Sequence, residues 1–108
     1  MRTWVMDLDG TICTLVVGKA YETALPFYSI IEWMKARKDE GDRIIIHTAR
    51  GMNTYDGDAA AAENAMRPLT EEWLSKHHVP YDKLIFGKPS GDAYIDDKAL
   101  RPLEIFSR

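Results

Sequence analysis

Four short, continuous apolar runs organise the chain: Trp4-Val5-Met6, Ile44-Ile45-Ile46, Leu84-Ile85-Phe86 and Ala93-Tyr94-Ile95. None alternates with polar residues, which is the pattern of strands in a parallel sheet covered on both faces. Between the first two runs, Phe27, Ile30, Ile31 and Met34 fall at i, i+3, i+4 and i+7, one stripe of a helix. Pro26 suits the start of that helix and Gly41 its end. Pro68 suits the start of a second helix through Trp73 and Leu74, with Glu71 and Glu72 favouring its dipole. Residues 59–66 read as a separate helical turn. The order strand, helix, strand, helix, strand, strand predicts an α/β fold.

The chain has 108 residues, which supports one domain spanning residues 1–108. Cys13 is the only cysteine, so no internal disulfide can form, and its expected role is a small buried apolar residue in a reducing compartment. Net charge is −3, and Lys35, Arg37 and Lys38 alternate with Glu32, Asp39 and Glu40 on what reads as a solvated helix face. Attraction to nucleic acid or to an anionic membrane is therefore not expected. No apolar stretch nears the roughly 18 residues that cross a bilayer, and the N-terminus lacks a signal-peptide core. A cytoplasmic protein is expected.

Each apolar run is followed closely by a residue of chemical use: Asp7, Thr48, Lys88 and Asp96. Ligands of open parallel sheets bind beyond the carboxyl ends of the strands, so these four would converge on one crevice. Asp7, Asp9, Asp96 and Asp97 together would repel one another. A hard cation relieves that, and few carboxylates with open water positions suit Mg²⁺. Lys88 and the cation could clamp a phosphoryl group, with Thr48 and the backbone N–H groups of the Gly10-Thr11 turn as further donors. One carboxylate could attack phosphorus while the other, two residues on, exchanges protons.

Asp7-Leu8-Asp9-Gly10-Thr11, Thr48, Lys88 and Asp96-Asp97 resemble, in order, the four motifs of the haloacid dehalogenase superfamily. The resemblance implies a Rossmann-like α/β core with strand order 3-2-1-4, helices on both faces and no cap domain. It implies Asp7 as nucleophile, Asp9 as general acid/base, and Gly10, Thr48, Ala49, Arg50 and Lys88 as phosphate or substrate contacts. It implies Mg²⁺ held by Asp7, Asp9 (through its main-chain carbonyl), Asp96 and Asp97. The match extends through His47-Thr48-Ala49-Arg50-Gly51-Met52-Asn53-Thr54-Tyr55, His78-Val79-Pro80-Tyr81-Asp82 and Gly87-Lys88-Pro89. There it looks like the small phosphatases of bacterial capsule biosynthesis, implying a small phosphorylated sugar or polyol as substrate. In one respect it departs: only seven residues separate Lys88 from Asp96, so the loop carrying Ser90, Gly91 and Asp92 is trimmed.

Taken singly, each motif has a plainer account. Asp9-Gly10 could be a turn after a strand, Thr48 and Asp96-Asp97 helix caps, and Lys88 a surface lysine. Arg50 could as well form a structural salt bridge. Asn53, Tyr55 and Asp56 fall in a loop that could select substrate. His77 and His78 lack a third zinc ligand nearby. Residues 11–24 and 50–58 are expected as the flexible segments. The apolar stretch from Ile12 to Tyr21 is expected to fold back as a flap and to support a homo-oligomer. Two other activities fit the same motifs, a nucleic-acid end phosphatase and a non-catalytic phosphate-binding module.

Overall fold

The computed structural model describes every residue except Lys19. Three parallel strands, β1 (Thr3–Met6), β2 (Arg43–His47) and β3 (Lys83–Ile85), form a sheet with β2 in the middle. Trp4 pairs with Ile44 and Ile46 with Leu84 in the register. Helix α1 (Tyr28–Asp39) joins β1 to β2, and α2 (Ala59–Lys76) joins β2 to β3. The architecture is a small α/β domain.

Burial along the strands alternates, because successive side chains point to opposite faces. Met6, Ile44, Ile46 and Leu84 are buried on one face, in a single cluster that also takes Ile30, Ile31 and Met34 of α1 and Met66, Trp73 and Leu74 of α2. Trp33 of α1 meets Trp4 edge-on, ring centroids 4.9 Å apart. The opposite face is thinly covered: Ile45 and Ile85 are half-buried and Val5 is 64% exposed. The expectation of a sheet sealed on both faces is corrected accordingly. Continuous apolar runs signal burial on both sides, but they do not say which molecule supplies the second cover.

Two element boundaries also differ. Helix α2 runs unbroken through Pro68 instead of starting there. Asp58 caps it by accepting from the Ala61 N–H at 3.1 Å, and the Ala-rich first turn propagates well. Pro68 sits on the exposed side, where losing one ladder bond is tolerable. The expected fourth strand, residues 93–95, is not formed: the segment is irregular and exposed, Ile95 fully so. Beyond it the chain returns, with Leu100 packed against the core and Ile105 buried in it.

Residues 11–24 are only partly the expected flap. Ile12, Cys13 and Ala24 are core residues, and Val16 and Tyr21 pack against the core. The base closes antiparallel: the Thr14 N–H donates to Leu25 O at 2.9 Å and the Phe27 N–H to Ile12 O at 2.8 Å. Leu15 and Val17 stay exposed. Lys19, inside the expected flap, lies outside the described residues.

Candidate active site

Asp7 follows β1 directly, and the chain then turns sharply. Leu8 O accepts from the N–H groups of Thr11, Ile12 and Cys13, and the Gly10 N–H donates to Cys13 O at 2.7 Å. This knot holds Asp7 and Asp9 near the carboxyl end of the sheet. The Asp7 side chain is 35% exposed, with the Lys88 ammonium 3.5 Å from Oδ1 and the Thr11 hydroxyl donating to Oδ2 at 3.4 Å.

Asp9 is held differently. The Arg50 guanidinium donates from Nη2 to Oδ1 at 2.8 Å and from Nε to Oδ2 at 2.9 Å, a two-pronged pair. The Arg50 side chain is wholly buried and that of Asp9 is 20% exposed. Arg50 Nη1 donates to the Thr70 hydroxyl at 3.1 Å, and Cζ stands 4.4 Å from the centre of the Tyr21 ring. All three guanidinium nitrogens thus donate, and one face lies on Tyr21. Of the two sequence readings, substrate contact and structural salt bridge, the geometry matches the second.

The loops after β2 and β3 bring the remaining groups. The Thr48 N–H donates to Ile85 O at 2.9 Å, and Thr48 O accepts from the Lys88 N–H at 3.2 Å, so the two loops are stitched together. Thr48 Oγ1 accepts from the Arg50 N–H at 3.1 Å, its own hydroxyl hydrogen remaining free to donate. Ala49 is half-buried beside it and its carbonyl accepts from Met52. Two glycines set how closely α2 approaches these loops. Gly51 has φ +81°, and a Cβ there would come within 3.0 Å of Ala62 Cβ and 3.1 Å of Met66 Cγ. Gly87 has φ +90°, and a Cβ there would stand 3.0 Å from Ala59 Cβ.

Asn53, Tyr55 and Asp56 are exposed on the loop before α2. Asn53 and Asp56 line a cavity of about 490 Å³ with Met52, Gly57, Pro89 and Ser90, whereas Tyr55 is not among its lining residues. Asp56 adopts φ +51°, a left-handed conformation uncommon outside glycine. His47, at the end of β2, is half-buried. Its pKa is lowered, chiefly by burial and then by the Lys88 charge, with Asp7 opposing.

Asp96 and Asp97 do not join this group: both are exposed, in the irregular segment after Ile95. The Asp96 carboxylate accepts from the Lys98 N–H at 2.8 Å, and this bond, with a contribution from Asp97, holds its pKa below the usual range. Among the described residues no group of three or more His, Cys, Asp or Glu is gathered to hold a metal ion. Asp7 and the Asp9 main-chain carbonyl, two of the expected Mg²⁺ ligands, thus stand apart from Asp96 and Asp97, the other two.

Sequence reasoning missed Thr70, Tyr21 and Tyr94. Thr70 was discoverable, because it is a polar residue on the buried Met66, Trp73, Leu74 stripe of α2 and so required a partner. Tyr94 was read only as strand. Its ring lies 4.1 Å from Lys88 Nζ, and its hydroxyl donates to Pro89 O at 2.6 Å.

These features define a small α/β domain with a polar crevice at the carboxyl ends of its parallel strands. No protein-family model matches the chain, and no curated protein does. Solved structures do. A crystal structure of a target protein from Vibrio cholerae matches 100% of this chain and 89% of its own, with 39% identity and a TM-score of 0.92. The chain belongs to the same family as that protein. A structure of the Pnkp1/Rnl/Hen1 complex matches at TM-score 0.60 and 26% identity, over 89% of this chain and 30% of the matched chain. A structure of the Pnkp1/Rnl/Hen1 RNA repair complex gives 0.59 and 27%, over 78% of this chain and 25% of the other. Among the described residues no helix is long and apolar enough to cross a membrane.

Proposed function

We propose that the protein is a phosphomonoesterase of the haloacid dehalogenase type, with Asp7 as nucleophile. The observation that carries the reading is the half-exposed Asp7 carboxylate, 3.5 Å from the Lys88 ammonium and two residues from a fixed Asp9. An Asp7 oxygen attacks phosphorus, forming an aspartyl-phosphate as the ester P–O bond breaks. Asp9 gives a proton to the departing alkoxide, then takes one from the water that hydrolyses the intermediate. Lys88 and the Thr48 hydroxyl offset charge on the phosphoryl oxygens. Both Asp9 oxygens accept from Arg50 in the resting site, so to act as the acid Asp9 must first free one of them and take up a proton from solvent. Mg²⁺ is the proposed cofactor, and when bound it would draw charge from the phosphoryl oxygens and screen the carboxylates.

The proposed substrate is a small phosphorylated sugar or polyol in the cytoplasm, as in capsule biosynthesis. The cavity beside the crevice, lined in part by Asn53, Asp56 and Ser90, supports it, since those side chains can bond hydroxyl groups. The likeness to the RNA repair complex favours a second reading, a phosphatase acting on nucleic-acid ends. The net charge of −3 counts against it.

Turnover of an aryl phosphate with Mg²⁺ tests the reaction class. Activity is expected to disappear with chelator, and Asp7→Asn is expected to lower it by at least about 10³-fold, as for loss of a nucleophile. Near-normal turnover by Asp7→Asn would sink the covalent mechanism. No turnover by the wild type would favour a non-catalytic phosphate-binding module. A panel of sugar, polyol and oligonucleotide 3′- and 5′-phosphates separates the two substrate readings.

A further inference from the structure

We infer that the active site is completed between two copies of the chain, with Asp96 and Asp97 of each copy entering the site of the other. The inference rests on the phosphatase reading for the placement of those carboxylates; the free edge of β1 and the exposed crest are observed apart from it.

Three features point the same way. Strand β1 is an edge: among the described residues it pairs with β2 and with no other strand, and Val5 is exposed upon it. An uncovered strand edge is a template for pairing. The segment Ala93-Tyr94-Ile95 is apolar, exposed and in no strand; Tyr94 turns back on Lys88 and Pro89, and Ile95 is 100% exposed immediately before Asp96. It is the crest of a loop anchored at both ends. The Lys88 N–H is bound to Thr48 O at one end, and Leu100 packs on the core at the other. Finally, among the described residues no third carboxylate is gathered with Asp7 and Asp9.

The crest cannot reach β1 of its own chain in the useful direction. To place Asp96 beside Asp7 it must run parallel to β1, and parallel neighbours need a crossover of about a dozen or more residues. Only residues 86–92 lie between the end of β3 and Ala93. Lys88 is pinned to Thr48, so residues 89–92 must make the journey. Fully extended, five Cα steps cover about 17–18 Å. Crossing two to three strand spacings and descending three residues needs roughly 14–17 Å in a straight line, and that line passes through the sheet. An antiparallel strand fits the short connection, but it carries Asp96 and Asp97 to the end of the sheet away from Asp7.

A second copy has neither restriction. Its crest can add to the free edge of β1 in parallel, as in strand addition, covering Val5 and Ile95 together. The exchange is reciprocal about a two-fold axis, so both sites are completed at once. The crest belongs to the shared fold, since the Vibrio cholerae structure matches the whole of this chain.

Sedimentation and subunit mixing test the inference. The wild type is expected to be a dimer, and Ile95→Asp a monomer with an unchanged far-ultraviolet spectrum. One Mn²⁺ per chain should bind the dimer tightly, with at least a tenfold loss of affinity in Ile95→Asp. Asp7→Asn and Asp96→Asn should each be inactive alone. Refolded together from urea, they should recover about one quarter of wild-type turnover, because half the dimers are hybrids and each hybrid holds one intact site. A monomeric wild type, an active Asp96→Asn, or no recovery on mixing overturns the inference. If no phosphate ester is turned over by the wild type, the phosphatase reading fails. Sedimentation and Mn²⁺ binding then decide the association by themselves.

Discussion

Asp9 and Asp96 are both carboxylates of the same proposed site, and the fold treats them in opposite ways. Asp9 sits against a wholly buried arginine that also binds Thr70 and stacks on Tyr21, so that side chains from three chain regions fix one carboxylate. Asp96 stands in solvent, held by a single local bond from Lys98. The half of the proposed site that would carry the proton-transfer group is built into the core of one chain. The half expected to carry metal ligands is presented outward. Substitutions at the first should be felt as stability, and at the second as association and activity.

The largest expected effect is at Arg50. Arg50→Met leaves Asp9 partly buried without its partner, a loss of about 3–5 kcal/mol. At roughly 4–8 °C per kcal/mol for a domain this size, the melting temperature should fall by at least about 12 °C. Adding Asp9→Leu should recover a large part of it. If Arg50→Met melts within about 3 °C of wild type, the clamp does not hold the fold.

A smaller effect belongs to Cys13, which lies between Asp9 and Arg50 with Sγ 3.5 Å from Asp9 Oδ1. Burial first, and the Asp9 charge second, push its thiol from 9.0 up to about 12. A raised folded pKa means stability that is complete below about pH 9 and lost as pH rises toward 12. The urea midpoint of the wild type should therefore fall across that window, while that of Cys13→Ala falls less. Equal slopes would disprove the linkage. At the acid end the sign reverses. The Trp4 indole and the Arg2 N–H hold the Asp42 pKa below 3.8, and the Lys38 ammonium and the Ile44 N–H do the same for Asp82. Their contribution is present above that value and fades as pH falls through the lower folded values. Asp42→Asn should flatten the acid limb of the midpoint profile.

The smallest effect is at the crest. Ile95→Ser, measured at concentrations too low for association, should shift stability by less than about 0.5 kcal/mol, as for a surface site. A larger loss would mean that the crest packs within its own chain.

The contrast also explains what was legible. Three strands and two helices could be read because their signals are local, the apolar runs and the helical stripe, but the Asp58 cap that starts α2 ahead of Pro68 was not read. Asp7, Asp9, Thr48 and Lys88 could be placed because each ends or follows one of those runs. Arg50 was ambiguous because its partners Asp9, Thr70 and Tyr21 are distant in sequence and only packing joins them. The fourth strand was misplaced because an apolar run states that it must be covered, not by what. The connection of seven residues between Ile85 and Ala93 was the available clue.

The close seating of Gly51 on Ala62 and of Gly87 on Ala59 has a consequence for how such a chain can change over time. Both loops, bearing Thr48 and Lys88 of the proposed site, approach the first turns of one helix closely through these glycines. A side chain at either glycine would be strained by the positive φ and would press on Ala62 or Ala59 at 3.0 Å. Variation among related proteins should therefore collect between Asn53 and Gly57, where side chains and loop length can differ without moving the reacting groups. New substrates would be acquired there, while Gly51 and Gly87 stay small.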